Sequence, residues 1–176
     1  MRPLVRQMLK DRFALKAHME TREQPIYELV MARSDKRPGP KIKPATIDCT
    51  PFLSGRRPMQ ESPQDSNGLP LCSAGASFSS NALLTPRLNG QPLAGGLIRT
   101  LEAALQRRVV DKTGLTGNYD IELTYIDETL FRKGVGTEDG PSLRTALQEQ
   151  LGMRLESARG PVEVLVIDSV SEPTTN

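Results

Sequence analysis

Three stretches of the chain place apolar residues at helical spacing, and alternation of apolar and polar residues follows each. Leu4, Val5, Met8, Leu9 and Phe13 form one stripe of a first predicted helix, with Pro3 suited to its first turn. A second predicted helix covers residues 93–108, with Leu97, Ile98, Leu101, Ala104 and Leu105 on one face. A third opens at Pro141, behind Asp139 and Gly140, and repeats Leu143, Ala146, Leu147 and Leu151. After the first helix Leu15, Ala17 and Met19, then Tyr27, Leu29 and Met31, alternate with their neighbours. Residues 21–24, closed by Pro25, read as the turn of a hairpin between them. The third helix is followed by Met153 and Leu155, a turn at Ala158-Arg159-Gly160-Pro161, and Val162, Val164 and Val166.

These two stretches repeat one another. Leu9, Phe13 and Leu15 match Leu147, Leu151 and Met153 at one offset, and Pro25, Ile26, Leu29 and Val30 match Pro161, Val162, Leu165 and Val166 at an offset two residues shorter. The middle helix leads into Val109-Val110-Asp111-Lys112, a glycine-bearing turn, and the alternating Tyr119, Ile121, Leu123 and Tyr125. A short strand over residues 83–88 precedes that helix, with Asn89-Gly90 turning the chain toward it. The fold class expected is α+β, made of repeated β-α-β-β units (helix plus β-hairpin) with an antiparallel sheet and a long Pro-rich insertion. One helix and hairpin bury too little surface alone, so neighbouring units must share a sheet or stack. The expected divisions are residues 1–32, a flexible Pro-rich loop or linker at 33–82, a second unit at 83–126, a connection at 127–140, a third unit at 141–170 and a tail at 171–176.

Composition narrows the class. Of the 14 prolines, nine fall between Arg33 and Pro92, a stretch whose low hydrophobicity leaves little to offset its ordering entropy, so much of it should be mobile. Aromatic residues are only 4% and Trp is absent, which predicts a thin core. No run approaches the ~20 apolar residues of a membrane helix, and residues 1–13 mix Arg2, Arg6, Lys10, Asp11 and Arg12 among their apolar positions, unlike a signal peptide. Residues 1–43 hold 11 Lys/Arg against 5 Asp/Glu, and residues 100–176 hold 8 against 13. Without aromatics interleaved among the basic residues, this asymmetry reads as two solvated faces, and no nucleic-acid partner is expected.

Motifs with chemical meaning are few. Asp111-Lys112-Thr113-Gly114 resembles the phosphorylated motif of ion-pumping ATPases, but the downstream acidic magnesium motif of that chemistry is missing, and a polar turn is the simpler reading. Gly134, Gly136 and Gly140 lack dinucleotide-loop spacing, Ser77 lacks a nucleophile elbow, and Asp139 reads as a helix cap. His18 is the single histidine; with Cys49 and Cys72 it matches no zinc spacing, so no metal or other cofactor is expected. Cys49 and Cys72 are either two free thiols or a disulfide, the latter requiring an oxidising compartment and worth about 3 kcal/mol.

Several segments together resemble a known family. They are Leu9-Lys10-Asp11-Arg12-Phe13; His18-Met19-Glu20-Thr21-Arg22-Glu23-Gln24-Pro25-Ile26-Tyr27; Val109-Val110-Asp111-Lys112-Thr113-Gly114-Leu115-Thr116-Gly117-Asn118-Tyr119-Asp120; Gly140-Pro141-Ser142-Leu143 on to Leu155-Glu156; and Gly160-Pro161-Val162-Glu163-Val164-Leu165-Val166-Ile167-Asp168. In order and content they are similar to the soil-associated domain of unknown function expanded in Acidobacteria. The resemblance implies an extracytoplasmic (periplasmic or secreted) binding or sensing module, in some members behind a membrane metallopeptidase of the β-lactam-sensor type. Members typically carry a signal peptide and an upstream helix-plus-hairpin unit, so by that measure this chain is expected to be a truncated or short member. A weaker likeness is to the short N-terminal domains of secretins and TonB-dependent receptors, which bind protein partners.

The resulting expectation is a non-enzymatic binding or protein-interaction domain whose partner is a protein or a cell-envelope ligand, recognised across its surface or by an exposed strand edge. The candidate surface comprises His18, Glu20, Arg22, Tyr27, Asp111, Lys112 and Tyr119. The rival is a hydrolase whose carboxylates (Asp111, Asp120, Asp127 or Glu128) gather in one concave pocket. A third reading is a fragment of a longer family member without function of its own.

Overall fold

Alternation around Tyr119 and Ile121 places this segment inside a five-stranded sheet rather than in a local hairpin. The computed structural model describes residues 3–64, 66, 68, 70–72, 75–78, 83–135 and 140–173. In chain order its elements are α1 (Pro3–Phe13), β1 (Lys16–Met31), β2 (Ile42–Pro44), α2 (Thr50–Leu53), β3 (Gly75–Phe78), β4 (Leu83–Pro92), α3 (Leu97–Leu105), β5 (Val109–Asp111), β6 (Asn118–Glu122), β7 (Tyr125–Ile126), α4 (Glu128–Arg132), α5 (Leu143–Ala146) and β8 (Met153–Ser169). A π-helical turn, Leu147–Leu151, continues α5. The chain forms two units, one of Met1–Pro25 with Arg159–Asn176 and the other of Ile26–Ala158.

In the larger unit the sheet order is β2-β6-β4-β3, with β7 also beside β4, and every pairing is antiparallel. Ile121 stands opposite both Ile42 and Leu88, so apolar residues from three strands share one face. The core joins these to Leu97, Ile98 and Leu101 of α3, to Leu143, Ala146, Leu147 and Leu151 around α5, and to Leu29, Val109 and Met153. The mixed α+β class with an antiparallel sheet is therefore present. A second sheet has the order β5-β1-β8, and its β1–β5 pair is parallel, with Tyr27 opposite Val109 and Leu29 opposite Asp111. β5 and β6 thus lie in different sheets and do not form the expected hairpin.

Three other expectations are corrected. Residues 21–24 and 158–161 are not turns: β1 and β8 are each one continuous strand. Residues 21–23 are exposed, so their polarity reflects a solvated strand. Pro25 is tolerated because Tyr27, two residues on, donates its N–H to the Arg108 carbonyl (2.9 Å), which puts the proline nitrogen on the same edge, before β5 begins. Pro161 lies in β8, the outer strand of its sheet. Nor does Asn89-Gly90 end its strand. Gly90 takes φ +58° at a register shift between Leu88 and Gln91, a bulge inside β4, and a Cβ there would strike Cys49 and the Ile47 carbonyl.

Finally, the described part of the Pro-rich stretch 33–82 is built into the fold rather than left as a loop. β2 is a strand of the main sheet with Ile42 buried, and Cys49, Phe52 and Cys72 form a small second core. Cys49 and Cys72 are joined as a disulfide with their Cα atoms 5.1 Å apart. The stretch orders because other elements supply its partners. Gly39 N–H and Lys41 N–H donate to the Leu151 and Gln150 carbonyls (2.8 and 2.9 Å) at the end of the helical segment, and Cys49 N–H donates to Gly90 (2.8 Å).

Gly152 ends the π turn at φ +68°, with Gly39 N and Arg37 O about where a Cβ would stand (2.9 and 3.0 Å). Gly152→Ala is expected to lower stability by about 2 kcal/mol, read as a lower urea midpoint with an unchanged slope. Replacing both cysteines by serine is expected to cost about 3 kcal/mol in the same assay, and an unchanged midpoint would count against the bond.

Candidate functional site

The outer side of α3 is the starting point for a site, because its inner side is committed to the core. Leu97, Ile98 and Leu101 are buried, whereas Ala103 and Ala104 are exposed and form part of a cleft of about 880 Å³. Its other walls come from β4, β7, α4 and the start of α5. Leu84, Leu88, Leu105, Tyr125 and Leu143 give it an apolar lining. Two side-chain caps hold the walls. Asp127 Oδ1 accepts the N–H groups of Thr129 and Leu130 (2.8 and 3.2 Å) to start α4, and Ser142 Oγ accepts from Thr145 N–H (3.2 Å) to start α5.

Polar groups in this lining are of both kinds, donors and acceptors. Gln91 is 7% exposed, and its Nε2 has no hydrogen-bond partner, the one such buried side-chain atom among the described residues. α3 begins at Gly96 without a side-chain cap and without an acidic residue in its first turn. Arg99, Arg132 and Arg144 also line the cleft. Arg132 pairs with Glu128 (3.1 Å), whereas no described carboxylate pairs with Arg99 or Arg144. The Arg144 guanidinium lies 5.1 Å from the centre of the Tyr27 ring, and Arg107 lies 4.7 Å from it.

The four carboxylates of the rival hydrolase reading are not gathered in this cleft. Asp127 and Glu128 line it, the first as a cap and the second paired with Arg132. Asp111 Oδ1 accepts from Thr113 N–H and Oγ1 (2.9 and 2.7 Å), which makes the Asp-Lys-Thr-Gly segment a polar turn. Asp120 Oδ1 accepts from Gly90 N–H (2.8 Å) beside a smaller groove of about 240 Å³. In that groove Glu122 bonds Lys41 (2.7 Å) and Arg87 (3.1 Å), and the Lys41 bond above all holds its carboxyl below the usual range. Among the described residues no three His, Cys, Asp or Glu side chains could hold a metal ion. Asp139 and Gly136 lie outside the described residues, as does the side chain of Ser77.

The seven residues of the expected surface fall in several places. In the smaller unit His18 pairs with Asp168 (2.9 Å), and Glu20 with Arg22 (2.8 Å). In the larger unit Tyr27 and Asp111 lie close together on the β1–β5 pair, and Lys112 N–H donates to the Leu29 carbonyl (2.8 Å). Tyr119 is buried in the other sheet, its hydroxyl bonded to the Thr116 carbonyl (3.0 Å).

With this geometry in place, the family model described as Protein of unknown function (DUF3738) matches residues 1–170. The chain belongs to that family. No curated protein and no solved structure matches it. In this DUF3738 chain the residues missed by periodicity are Gln91, Arg99 and Arg144. Gln91 stands between Gly90 and Pro92, which read as turn residues, and the two arginines interrupt helical stripes as ordinary solvent-facing positions do.

Burial pushes the Tyr125 phenol up to about 12, and the nearby Asp127 charge adds to the shift. An unfolded tyrosine ionises near 10. The stability tied to this group is therefore intact below pH 10 and lost as the pH rises toward 12, about 3 kcal/mol in all. Urea midpoints across that range should fall for the native chain and fall less for Tyr125→Phe.

Proposed function

We propose that this chain is a non-enzymatic binding or sensing domain that acts outside the cytoplasm, and that the cleft beside α3 is where it binds. The observation that carries this reading is the cleft itself: its size suits a small ligand, and its lining joins apolar side chains to polar ones that include three arginines and two carboxylates. The extracytoplasmic setting is supported by the motif resemblance to the soil-associated group expanded in Acidobacteria, and by the buried disulfide, which needs an oxidising compartment to form. No helix among the described residues is long and apolar enough to cross a membrane.

A protein-contact role for the smaller unit is a second reading, favoured by its surface. Of eight exposed large apolar residues among those described, seven (Leu4, Val5, Met8, Met19, Leu165, Ile167 and Val170) belong to that unit. His18, Glu20 and Arg22 would flank such a contact there. We also propose that α1–β1 and α5–β8 descend from one helix-and-strand unit separated by the Pro-rich insertion, supported by the matching apolar offsets and the prolines at corresponding places.

A thermal melt with cell-envelope fragments, β-lactams and short peptides tests the cleft. A ligand that raises the melting temperature of the native chain, but not that of Ala103→Trp, places binding in the cleft. Ala103 is exposed, so the larger side chain fills the cleft without entering the core. A ligand that stabilises both chains equally would put binding elsewhere.

A further inference from the structure

We propose that Arg107 and Arg144, both held over the ring of Tyr27, form a site for a phosphate group, either inorganic phosphate or a small phosphate monoester. The site goes beyond the cleft and does not depend on it: Arg144 lines the cleft, but Arg107 and Tyr27 do not.

The fold brings the three residues together from separate elements. Tyr27 stands opposite Val109 on the parallel β1–β5 pair and donates its N–H to the Arg108 carbonyl (2.9 Å), which sets the chain between α3 and β5 beside its ring. Arg144 arrives from α5. The guanidinium carbons of Arg107 and Arg144 lie 4.7 and 5.1 Å from the ring centre, so the two cations are at most about 10 Å apart. All three residues belong to the larger unit.

A cation over an aromatic ring is drawn to the negative face by its charge, which leaves guanidinium N–H donors for other partners. In the other such contact among the described residues, Arg57 lies 4.9 Å from the centre of the Phe52 ring and also pairs with Glu61 (3.2 Å). Eight described arginines are ion-paired. The two on Tyr27 have no ion-pair or side-chain hydrogen-bond partner among the described residues. Carboxylates near them in chain and sheet are engaged or turned away. Glu102 accepts from Arg108 and from Val109 N–H (2.8 and 3.1 Å), and Asp111 Oδ1 accepts from Thr113. Strand alternation puts Glu28 on the face opposite Tyr27. Two permanent positive charges therefore share one ring with no negative charge paired to either.

An anion would answer both, and a phosphate group does so better than a carboxylate. It carries roughly −1.5 to −2 charge at pH 7, which matches two cations. Its tetrahedral oxygens can meet two guanidinium groups that arrive from different elements, whereas the single plane of a carboxylate suits one arginine fork.

The test is calorimetric titration of the full chain, at fixed ionic strength, with inorganic phosphate, glycerol 3-phosphate and acetate. Phosphate is expected to bind about tenfold more tightly than acetate. Arg107→Gln and Arg144→Gln should each weaken phosphate about fivefold or more, whereas Arg56→Gln, at an exposed arginine not held on this ring, should leave it within about twofold. Tyr27→Phe keeps the ring and should also stay within about twofold of the native chain, while Tyr27→Leu should weaken phosphate as the arginine variants do. The melting temperature of Tyr27→Leu separates loss of the ring from loss of the fold. The tighter of inorganic phosphate and glycerol 3-phosphate identifies the source of the group, and either order upholds the site. No binding of either phosphate, acetate binding as tightly as phosphate, or unchanged phosphate affinity in both arginine variants would overturn the proposal.

Discussion

The end of the helical segment at Gly152 is the constraint on which the larger unit depends. A left-handed residue there stops the π turn and turns the chain into β8, and three successive carbonyls are left without helical partners. Each is taken up by a different part of the same chain segment. Lys41 N–H bonds Gln150, Gly39 N–H bonds Leu151, and Ala32 N–H bonds Gly152. One helix end thus fixes the exit of β1, the approach to β2 and the start of β8. The Gln150 side chain adds Thr124 to the same node from the other side. Only glycine meets both the backbone angle and the lack of space against residues 37–39.

The cleft follows from how that node spends the apolar faces of the helices. Leu97, Ile98 and Leu101 of α3 and Leu143, Ala146, Leu147 and Leu151 around α5 all face the core, so the outer side of α3 and the start of α5 are left to line a cleft with β4 and β7. The bulge at Gly90 brings Gln91 into that wall and at the same time lets Cys49 lie against β4. Among the described residues the Gln91 amide holds the one buried side-chain atom without a hydrogen-bond partner, a local departure from the rules of burial, and such departures gather at functional sites. Asp127 and Glu128 sit nearby, but a helix cap and an ion pair already occupy them.

In the smaller unit the same kinds of residue arrive at a different result. The stripe of α1 forms a helix, yet Leu4 is 85% exposed and no residue described from 4 to 25 is buried. Pro25 and Pro161 interrupt the rows of backbone donors on β1 and β8, which discourages uncontrolled strand pairing. Apolar side chains on the faces of these elements are therefore better placed for contact than the strand edges are.

Periodicity alone located all three principal helices and most of the strand-forming residues, because a helical stripe or an alternating run is a local property of the chain. It also marked Asp111-Lys112-Thr113-Gly114 as a turn, since the aspartate bonds residues only two positions away. What depended on distant partners was decided by the tertiary structure. The polar residues 21–23 read as a turn but lie in a strand, because their polarity answers to solvent and not to chain reversal. The Pro-rich stretch read as a linker, but its Gly39 and Lys41 donors are met by carbonyls more than a hundred residues away and its cysteines close on one another. Gln91, Arg99 and Arg144 carry no local signal at all: they come to line one cleft only when β4, α3 and α5 fold around it, an arrangement that no spacing along the chain encodes.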